Sequence, residues 1–362
     1  MTAPAIVSLS TRLITVPLPR PWGIDVLENH FIAVRVEDAE GGVGSGFSWT
    51  PSIGATAVRA LLDDDIRRFA LGKPASAATL WEPLWRHLHE VGGGGLTTIA
   101  MAGIDLALWD LETCRDGISV PEQVGLRRSE LPVYGSGVNR HLPLPALVEQ
   151  AGRWASAGYP AVKIKVGGRP LAEDVRRVAA VRDTIGAETD LMVDANQLWT
   201  VEEAIAAAAA LEPFGLRWLE EPLRADDLSG YAALHAAAAI PLAAGENIHT
   251  RYRFREFLDA GVLSVAQPNI IRVGGITPFL PIARDAAEHG VAVMPHLLPE
   301  LSGQLALCLP GEPMIEEVED SSLGSLGVLA EESPLRLDGA VATFHEALGL
   351  GLTLRSAVPT VS

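Results

Sequence analysis

The sequence predicts an α/β fold, a (β/α)8 barrel of the TIM type with an N-terminal α+β capping domain. From about residue 132 onward, eight short apolar runs alternate with stretches of helical periodicity, which is the rhythm of successive βα units. These runs are almost continuously apolar, as parallel strands covered on both faces are. The chain of 362 residues is also too long for one ordinary core and suits a barrel with an additional domain.

The part of the chain before the barrel has a different pattern. Two alternating stretches, AIVSLSTRLITVPL and HFIAVRVEDAEGGVGSGFSW, predict antiparallel strands with a turn near Gly41 and Gly42. Helical segments follow at 54–70, 77–91 and 97–114. The C-terminal stretches PLRLDGAVATF and LGLGLTL are strand-like again, and we expect them to pack back on the first domain. The predicted boundaries are 1–130 for a capping domain completed by 325–362, and 131–324 for the barrel.

Each barrel strand is predicted from an apolar run that ends at a turn or a helix-capping signal. After the third strand, Thr200 and Glu203 form the capping box of an alanine-rich helix. After the sixth, Thr277 at the N-cap and Pro278 at the first helical position open a helix over 277–289. The eight predicted strands are LPVYGSG (131–137), AVKIKV (161–166), DLMVDAN (190–196), LRWLEEP (216–222), IPLAAGEN (240–247), LSVAQPNI (263–270), VAVMPH (291–296) and MIEE (314–317).

The composition limits the class of partner. With 28 basic and 45 acidic residues the net charge is −17, which disfavours nucleic acid and anionic membranes as partners. The N-terminus has neither the basic nor the apolar region of a signal peptide. Two distant cysteines, Cys114 and Cys308, form no disulfide framework and no metal-spaced cluster. We therefore expect a cytoplasmic protein that acts on a small molecule, and a bound divalent metal would make an anionic one acceptable.

Polar residues recur where the predicted barrel strands end. From Asp194 onward they are separated by 26, 26, 23, 27 and 20 residues, close to one βα unit each. Because active sites of such barrels lie at the carboxyl ends of the strands, we expect these side chains to meet at one mouth. The residues are Lys163, Lys165, Asp194, Glu220, Glu246, Asn269, His296 and Glu316.

Three of these residues, Asp194, Glu220 and Glu246, are carboxylates on adjacent strands. Converging carboxylates repel one another unless they are protonated or held by a cation. Oxygen ligands without histidine or cysteine suit Mg²⁺ and count against zinc. Any one of the three alone would more simply begin a loop or cap a helix. Three in register, beside two lysines and a histidine, favour a metal site.

The two lysines of AVKIKV lie two positions apart, so Lys163 and Lys165 share one face of their strand. Buried like charges are costly, but the pair is reasonable if an anion such as a substrate carboxylate lies beside it. We expect burial and the like charge to lower the pKa of one lysine, which would make it a general base near neutral pH.

Taken in order and spacing, the motifs resemble those of the enolase superfamily, and within it the mandelate racemase-like group. The matching motifs cover the whole barrel and part of each flank. They are KIK (163–165), VDAN (193–196), WLEEP (218–222), GEN (245–247), RVGGIT (272–277), PH (295–296), MIEE (314–317), AGIDLALWDL (102–111) and LRLDGAV (335–341). The resemblance implies the modified, enolase-like form of the barrel and a loop at RPWGIDVLEN (20–29) that closes over the mouth.

The resemblance also implies a role for each polar residue. One Mg²⁺ per site would be held by Asp194, Glu220 and Glu246. Lys165 would take or return the proton α to a carboxylate, and Lys163 would polarise that carboxylate. His296 would stand on the opposite face of the substrate, as second base or as general acid. Glu316 would be a protonated acid that donates to the developing enolate. Asn196 and Ser136 would be substrate-binding residues.

The chain departs from this group at Asn269, where the group has an aspartate paired with the histidine. An amide can hold the imidazole but cannot neutralise its positive charge, so we expect His296 to be a weaker base than in the group. This favours dehydration of an acid sugar to a 2-keto-3-deoxy acid. The alternatives are a racemase or epimerase of a 2-hydroxy acid or related carboxylate, and a weakly active barrel that binds a carboxylate. We also expect a homo-oligomer.

Overall fold

The computed structural model describes residues 3–22 and 26–356. The first domain opens with an antiparallel sheet in the order β1 (Ile6–Trp22), β2 (Val26–Asp38) and β3 (Val43–Thr50). Five helices follow: α1 (Ala55–Leu61), which continues through a π-helical turn (Leu62–Ile66) into α2 (Arg67–Ala70), then α3 (Ala77–Leu88), α4 (Leu96–Asp116) and α5 (Val120–Val124). Helix α4 packs directly on β3, and a Cβ at Gly44 would overlap the carbonyl oxygen of Ala107. The absence of a side chain at Gly44 thus allows helix α4 to pack closely against the sheet.

Eight parallel strands form the second domain and confirm the predicted barrel. In spatial order they are β11 (Ile315–Val318), β4 (Glu130–Ser136), β5 (Ala161–Lys165), β6 (Asp190–Asp194), β7 (Leu216–Glu220), β8 (Leu242–Ala244), β9 (Val265–Ala266) and β10 (Ala292–Val293). Among the described residues no backbone ladder joins β10 to β11. There the backbone N–H of Met314 meets Met294 Sδ at 3.1 Å, and that of Leu297 donates to Glu316 Oε2 at 3.3 Å. Hydrogen bonds to side chains therefore connect the β10 end of the sheet to β11.

The connecting helices lie outside the barrel and bury their apolar stripes against it. They are α6 (Leu144–Ser156), α7 (Leu171–Ile185), α8 (Val201–Leu211), α9 (Leu228–Ala237), α10 (Arg251–Asp259), α11 (Ile270–Val273), α12 (Ile276–Glu288) and α13 (Pro299–Ala306). In the part of the chain that the structure describes, no helix combines the length and the apolar character needed to span a membrane.

Inside the barrel, an apolar layer lies beneath the polar mouth. Its members come from all eight strands or the residues beside them, and they are Tyr134, Ala161, Met192, Trp218, Ala243, Val265, Met294 and Met314. Because every second residue of a strand points inward, the next inward position toward the mouth after Ala161 is Lys163, and after Trp218 it is Glu220. Along one strand, the inward-facing side chains thus change from the apolar layer to the charged groups of the mouth within two residues.

The C-terminal segment contacts both domains. A hairpin of β12 (Leu335–Asp338) and β13 (Val341–Phe344) adds antiparallel to the start of β4. Further on, the carbonyl of Gly349 accepts from Val120 N at 3.0 Å and the carbonyl of Arg355 accepts from Arg12 at 2.9 Å. The later part of the segment therefore reaches the first domain, whereas the hairpin extends the barrel sheet. Residues 357–362 of the predicted segment lie outside the described residues.

The two predicted helix caps have different outcomes. The capping box of Thr200 and Glu203 is confirmed, with both reciprocal hydrogen bonds present at 2.9 and 3.3 Å. The predicted N-cap at Thr277 is wrong, because Gly275 is the N-cap and α12 begins at Ile276. The N–H of Thr277 donates instead to Asp105 on α4 at 3.0 Å. A carboxylate of the first domain thus caps a helix of the barrel, and it joins the two domains.

Candidate active site

The carboxylates predicted to bind a metal come together at the mouth. Asp194 and Glu220 end β6 and β7, and Glu246 follows β8 by two residues. One oxygen from each lies within 4.8 Å of the others. Gly245 makes this possible, because its φ is +153° and a Cβ there would lie 2.6 Å from the backbone of Gln267. A residue with a side chain would push Glu246 out of the cluster.

Each of these carboxylates contacts one basic side chain. Lys163 Nζ lies 2.6 Å from Glu220 Oε1, Lys165 Nζ pairs with Asp194 Oδ2, and His296 Nε2 lies 2.7 Å from Glu246 Oε2. Three converging oxygens of hard, anionic donors are the ligand set that Mg²⁺ takes in proteins. By donor chemistry and spacing, the residues present fit a divalent cation.

The environment of Glu220 shows how strongly this cluster needs positive charge. Burial raises its pKa to about 7; Lys163 opposes that rise, and the charges of Asp194 and Glu316 reinforce it. Its second oxygen accepts from Gln267 at 2.6 Å and from the indole of Trp218 at 3.1 Å. These two donors were not predicted, although Gln267 lies two residues before Asn269 and so shares its strand face.

The lysines lie on one face of β5, as predicted, but their pKa values move the other way. Burial and the neighbouring Lys163 would lower the pKa of Lys165, but the charges of the three carboxylates around it together outweigh them, so the pKa is raised. For Lys163, Glu220 and Glu316 outweigh burial in the same way. The expectation of a lowered lysine pKa is therefore wrong in this structure, because each lysine is held by an opposite charge and not only by its like neighbour.

Glu316 also differs from its predicted state. It lies 2.8 Å from Lys163 Nζ, and His296 Nε2 is 3.7 Å away. Burial would favour the neutral acid, but the neighbouring basic groups, Lys163 first and then His296 and Lys165, together outweigh burial and lower the pKa of Glu316 to about 2. The protonated Glu316 implied by the resemblance is thus not the state that this structure supports.

His296 and Asn269 form the predicted pair. Asn269 Nδ2 lies 3.0 Å from His296 Nδ1. Asn269 Oδ1 accepts the backbone N–H groups of Ile271 at 3.0 Å and Arg272 at 3.1 Å, which makes Asn269 the N-cap of α11. One amide therefore both caps a helix and holds the imidazole.

The structure separates the two predicted substrate-binding residues. Asn196 lines the cavity, with its amide 3.2 Å from Asp194 Oδ2 and its oxygen 2.9 Å from the guanidinium of Arg140. Ser136 is fully buried at the end of β4, its hydroxyl has no partner among the described residues, and it does not line the cavity.

A cavity of about 230 Å³ opens beside the carboxylates. The first domain covers it with residues from three places in the chain, Trp22, Val26 and the pair Trp49 and Pro51. Trp22 packs edge-on against Trp49, with ring centroids 6.2 Å apart, and its N–H donates to Ser321 at 3.1 Å. The predicted closing loop at 20–29 contributes two of these residues, while its positions 23–25 lie outside the described residues. Trp49 was not predicted, since β-alternation alone does not tell which strand end faces a mouth.

Comparison with known families agrees with this geometry. Residues 12–125 match the family "Mandelate racemase / muconate lactonizing enzyme, N-terminal domain", and residues 146–358 match "Enolase C-terminal domain-like". The chain belongs to the mandelate racemase and muconate lactonizing enzyme family. The predicted membership of the enolase superfamily and the capped barrel fold are thereby confirmed.

Curated members of this family include enzymes of acid-sugar metabolism. The chain is 37% identical to 3,6-anhydro-alpha-L-galactonate cycloisomerase of Streptomyces coelicolor, over 84% of this chain and 86% of that protein. It is 36% identical to L-talarate/galactarate dehydratase of Salmonella typhimurium, over 89% of this chain and 80% of that protein. The relatives are dehydratases and cycloisomerases, and racemases occur among the similar structures.

Solved structures of the family superpose closely. A racemase from Streptomyces coelicolor A3(2) with bound magnesium has a TM-score of 0.89 at 34% identity, covering 96% of this chain and 97% of that one. L-Talarate dehydratase from Polaromonas sp. JS666, complexed with Mg and L-glucarate, has a TM-score of 0.87 at 33% identity, covering 98% and 96%. Magnesium is thus present in structures of this fold, and this chain has the carboxylate cluster that could hold it.

Proposed function

We propose that this protein is a magnesium-dependent lyase that acts on an acid sugar. It removes the proton α to the carboxylate and eliminates the oxygen substituent of the β carbon, which gives a 2-keto-3-deoxy acid. Dehydration is the outcome when that oxygen is a hydroxyl group, and ring opening when it belongs to a ring ether. The family's dehydratases and cycloisomerases support this reaction class.

In this proposal Asp194, Glu220 and Glu246 hold the metal. Bound Mg²⁺ supplies positive charge beside the substrate carboxylate, where negative charge grows during the reaction. Lys163 places a second positive charge at the same position and keeps it there, because Glu220 and Glu316 hold its ammonium.

Lys165 is the proposed base. Its Nζ takes the α-proton, the C–H electron pair becomes the new double bond to the carboxyl carbon, and that pair then expels the β-oxygen. The bond between the β carbon and the oxygen breaks, and the oxygen takes a proton. It departs as water when it was a hydroxyl group, and it remains on its other carbon as a new hydroxyl group when it was part of a ring. The resulting enol takes a proton at carbon 3 and becomes the keto acid. Asp194, which Lys165 contacts, is also one of the proposed metal ligands, so a bound metal would compete with Lys165 for this carboxylate and free the amine for the substrate.

The observation that favours elimination over racemisation is the orientation of the Asn269 amide. Its oxygen accepts two backbone N–H groups, and a backbone N–H can only donate. The NH₂ group therefore faces His296 Nδ1 at 3.0 Å, and Nδ1 must accept. A neutral imidazole that accepts at Nδ1 carries its proton at Nε2.

The other ring nitrogen agrees with this assignment. Nε2 lies 2.7 Å from Glu246 Oε2, and a carboxylate needs a donor there. A nitrogen that already carries a proton cannot take another from the substrate. Racemisation needs a base on each face of the α carbon, whereas elimination needs one base and one hydrogen-bond donor, so the site suits elimination, with His296 donating toward the leaving oxygen.

This proposal is tested with a 3-deoxy aldonate, which keeps the α-proton but has no β-oxygen to lose. In D₂O with Mg²⁺, the wild type should exchange the α-proton of one epimer and leave the other unchanged. Asn269→Asp restores an acceptor for Nδ1–H while its other oxygen still caps α11, and it should gain exchange of the second epimer. Asn269→Gln is the matched control that keeps the amide. Equal exchange of both epimers by the wild type would overturn the proposal.

We further propose that the protein works as a symmetric homo-oligomer in the cytoplasm. The unpaired cysteines Cys114 and Cys308 support a reducing compartment. Sedimentation at micromolar concentration tests the assembly, and a monomer at all concentrations would contradict it.

A further inference from the structure

The cavity beside the carboxylates has two chemically different halves. One half holds the charged groups, with Lys165, Glu246, His296 and Glu316 on its wall. The other half is built from apolar side chains of both domains, namely Trp22, Val26, Trp49, Val138 and Val318. The charged groups come from the ends of the barrel strands, whereas Trp22, Val26 and Trp49 come from strands of the covering domain. A substrate carboxylate among the charged groups therefore leaves its far end beside the apolar side chains.

Among the described residues, the apolar half has no positively charged group. Arg272 also lines the cavity, but its guanidinium donates to the carbonyl oxygen of Glu246 at 3.1 Å and to the side chain of Asn247, so it belongs to the charged half.

Two arginines in the neighbourhood are already bound elsewhere. Arg20 pairs with Glu319 at 2.8 Å and Asp320 at 3.3 Å. Arg140 donates to the side-chain oxygen of Asn196 at 2.9 Å and to the carbonyl of Val166 at 3.2 Å, and it does not line the cavity. Neither arginine is among the residues that line the cavity, and each guanidinium donates to other groups of the protein.

Resting on the proposed function, we infer that the substrate is a monocarboxylate with an uncharged far end, an aldonate or an anhydro-aldonate, and not a dicarboxylic aldarate. A second carboxylate would lose its water against two indoles and several valines with no counter-ion, which is strongly unfavourable. An uncharged end with a C–H face, such as an anhydro ring, matches the indole surfaces. The cavity volume of about 230 Å³ is below the ~300–1,000 Å³ of pockets for drug-sized ligands, so the cavity suits a small substrate.

The test separates binding from turnover. Lys165→Met removes the proposed base, so calorimetric titration in the presence of Mg²⁺ measures binding without conversion. The probes are aldonates and aldarates in pairs of the same configuration, such as galactonate with galactarate, together with 3,6-anhydro-galactonate. We expect the monoacids to bind at least ~100-fold more tightly than their paired diacids, since a site rejects a charge that it leaves unpaired.

A variant at the apolar wall sharpens the test. Val26 is half-buried at the edge of the cavity, and Val26→Lys places a cation there, which should reduce the preference for monoacids at least ~tenfold. Val26→Met is the matched uncharged control of similar length and should keep the wild-type ratio, whatever its effect on absolute affinity.

The outcomes distinguish the two proposals. Aldarates that bind as tightly as aldonates overturn the inference about the substrate, whether or not turnover occurs. If the preference for monoacids holds but the wild type converts none of the probes and exchanges no α-proton, the inference stands and the proposed function fails. Absence of binding by every probe overturns both.

Discussion

Replacing Asp105 by Asn tests how the two domains are joined. Asp105 is buried on α4 and accepts the backbone N–H of Thr277 at the start of α12, while its other oxygen has no partner among the described residues. Burial raises its pKa from 3.8 to about 7, against the opposing effect of the Thr277 bonds. The neutral acid is thus the form that the folded protein favours.

The sign and size of the effect follow from this raised pKa. Between pH 3.8 and about 7 the unfolded chain loses the proton while the folded chain keeps it, so the stability present at low pH is lost as the pH rises. At ~1.4 kcal/mol per tenfold change in equilibrium constant, the loss is roughly 4 kcal/mol by pH 8. Asn cannot titrate and keeps an oxygen for the Thr277 N–H, so this pH dependence should disappear in Asp105→Asn.

The assay is urea denaturation followed by tryptophan fluorescence at several pH values from 4.5 to 8.5. The difference in free energy of unfolding between wild type and Asp105→Asn should change by several kcal/mol across this range, to the advantage of the variant at high pH. Asp105→Asn leaves one amide donor without a partner, which lowers stability by a similar amount at every pH. A constant difference across the range would show that Asp105 does not have a raised pKa in the folded protein.

Three further changes test the site and the local structure. Gly245→Ala should weaken Mg²⁺ binding at least ~tenfold, because the new methyl group meets the backbone of Gln267 and displaces Glu246; an unchanged dissociation constant by calorimetry would contradict this. Mg²⁺ at 100 times its dissociation constant should stabilise the fold by ~2.7 kcal/mol and EDTA should reverse it, whereas a variant with amides for all three carboxylates should show no effect in thermal denaturation. Thr200→Ala removes the capping box with Glu203 and should cost ~1 kcal/mol of unfolding free energy, with Thr200→Ser close to wild type; equal losses in both would show that the hydroxyl is not the cause.

Much of the architecture could be predicted because it depends on local patterns. Eight apolar runs with helical connections define a barrel, and a carboxylate at the end of each of three adjacent runs must face the same mouth. The sequence therefore predicts Asp194, Glu220 and Glu246 at one mouth, and the structure brings one oxygen of each within 4.8 Å of the others.

The features that could not be predicted depend on partners distant in sequence. Period-two alternation put Lys163 and Lys165 on one face, but their pKa values depend on which carboxylate each one meets. Thr277 has the sequence of an N-cap, yet Asp105, more than 170 residues earlier, takes the backbone N–H. In both cases a tertiary contact overrides a correct local rule.

The apolar half of the cavity could not be predicted for the same reason, since it too depends on contacts between residues distant in sequence. Trp22 and Trp49 lie on different strands of the first domain, and only the packing of that domain on the barrel brings them to the mouth. The polarity of a catalytic site can therefore be predicted from the barrel strands, whereas the surface that selects the substrate depends on the covering domain.

In the proposed function, Lys165 is the one base that removes the α-proton. The most direct measurement is the rate of deuterium incorporation from D₂O into each α-epimer of a 3-deoxy aldonate, for wild type and Lys165→Met with Mg²⁺ bound. We predict exchange of a single epimer by the wild type and a loss of at least ~10²-fold in the variant, with Mg²⁺ affinity retained. Exchange by Lys165→Met at the wild-type rate would contradict it.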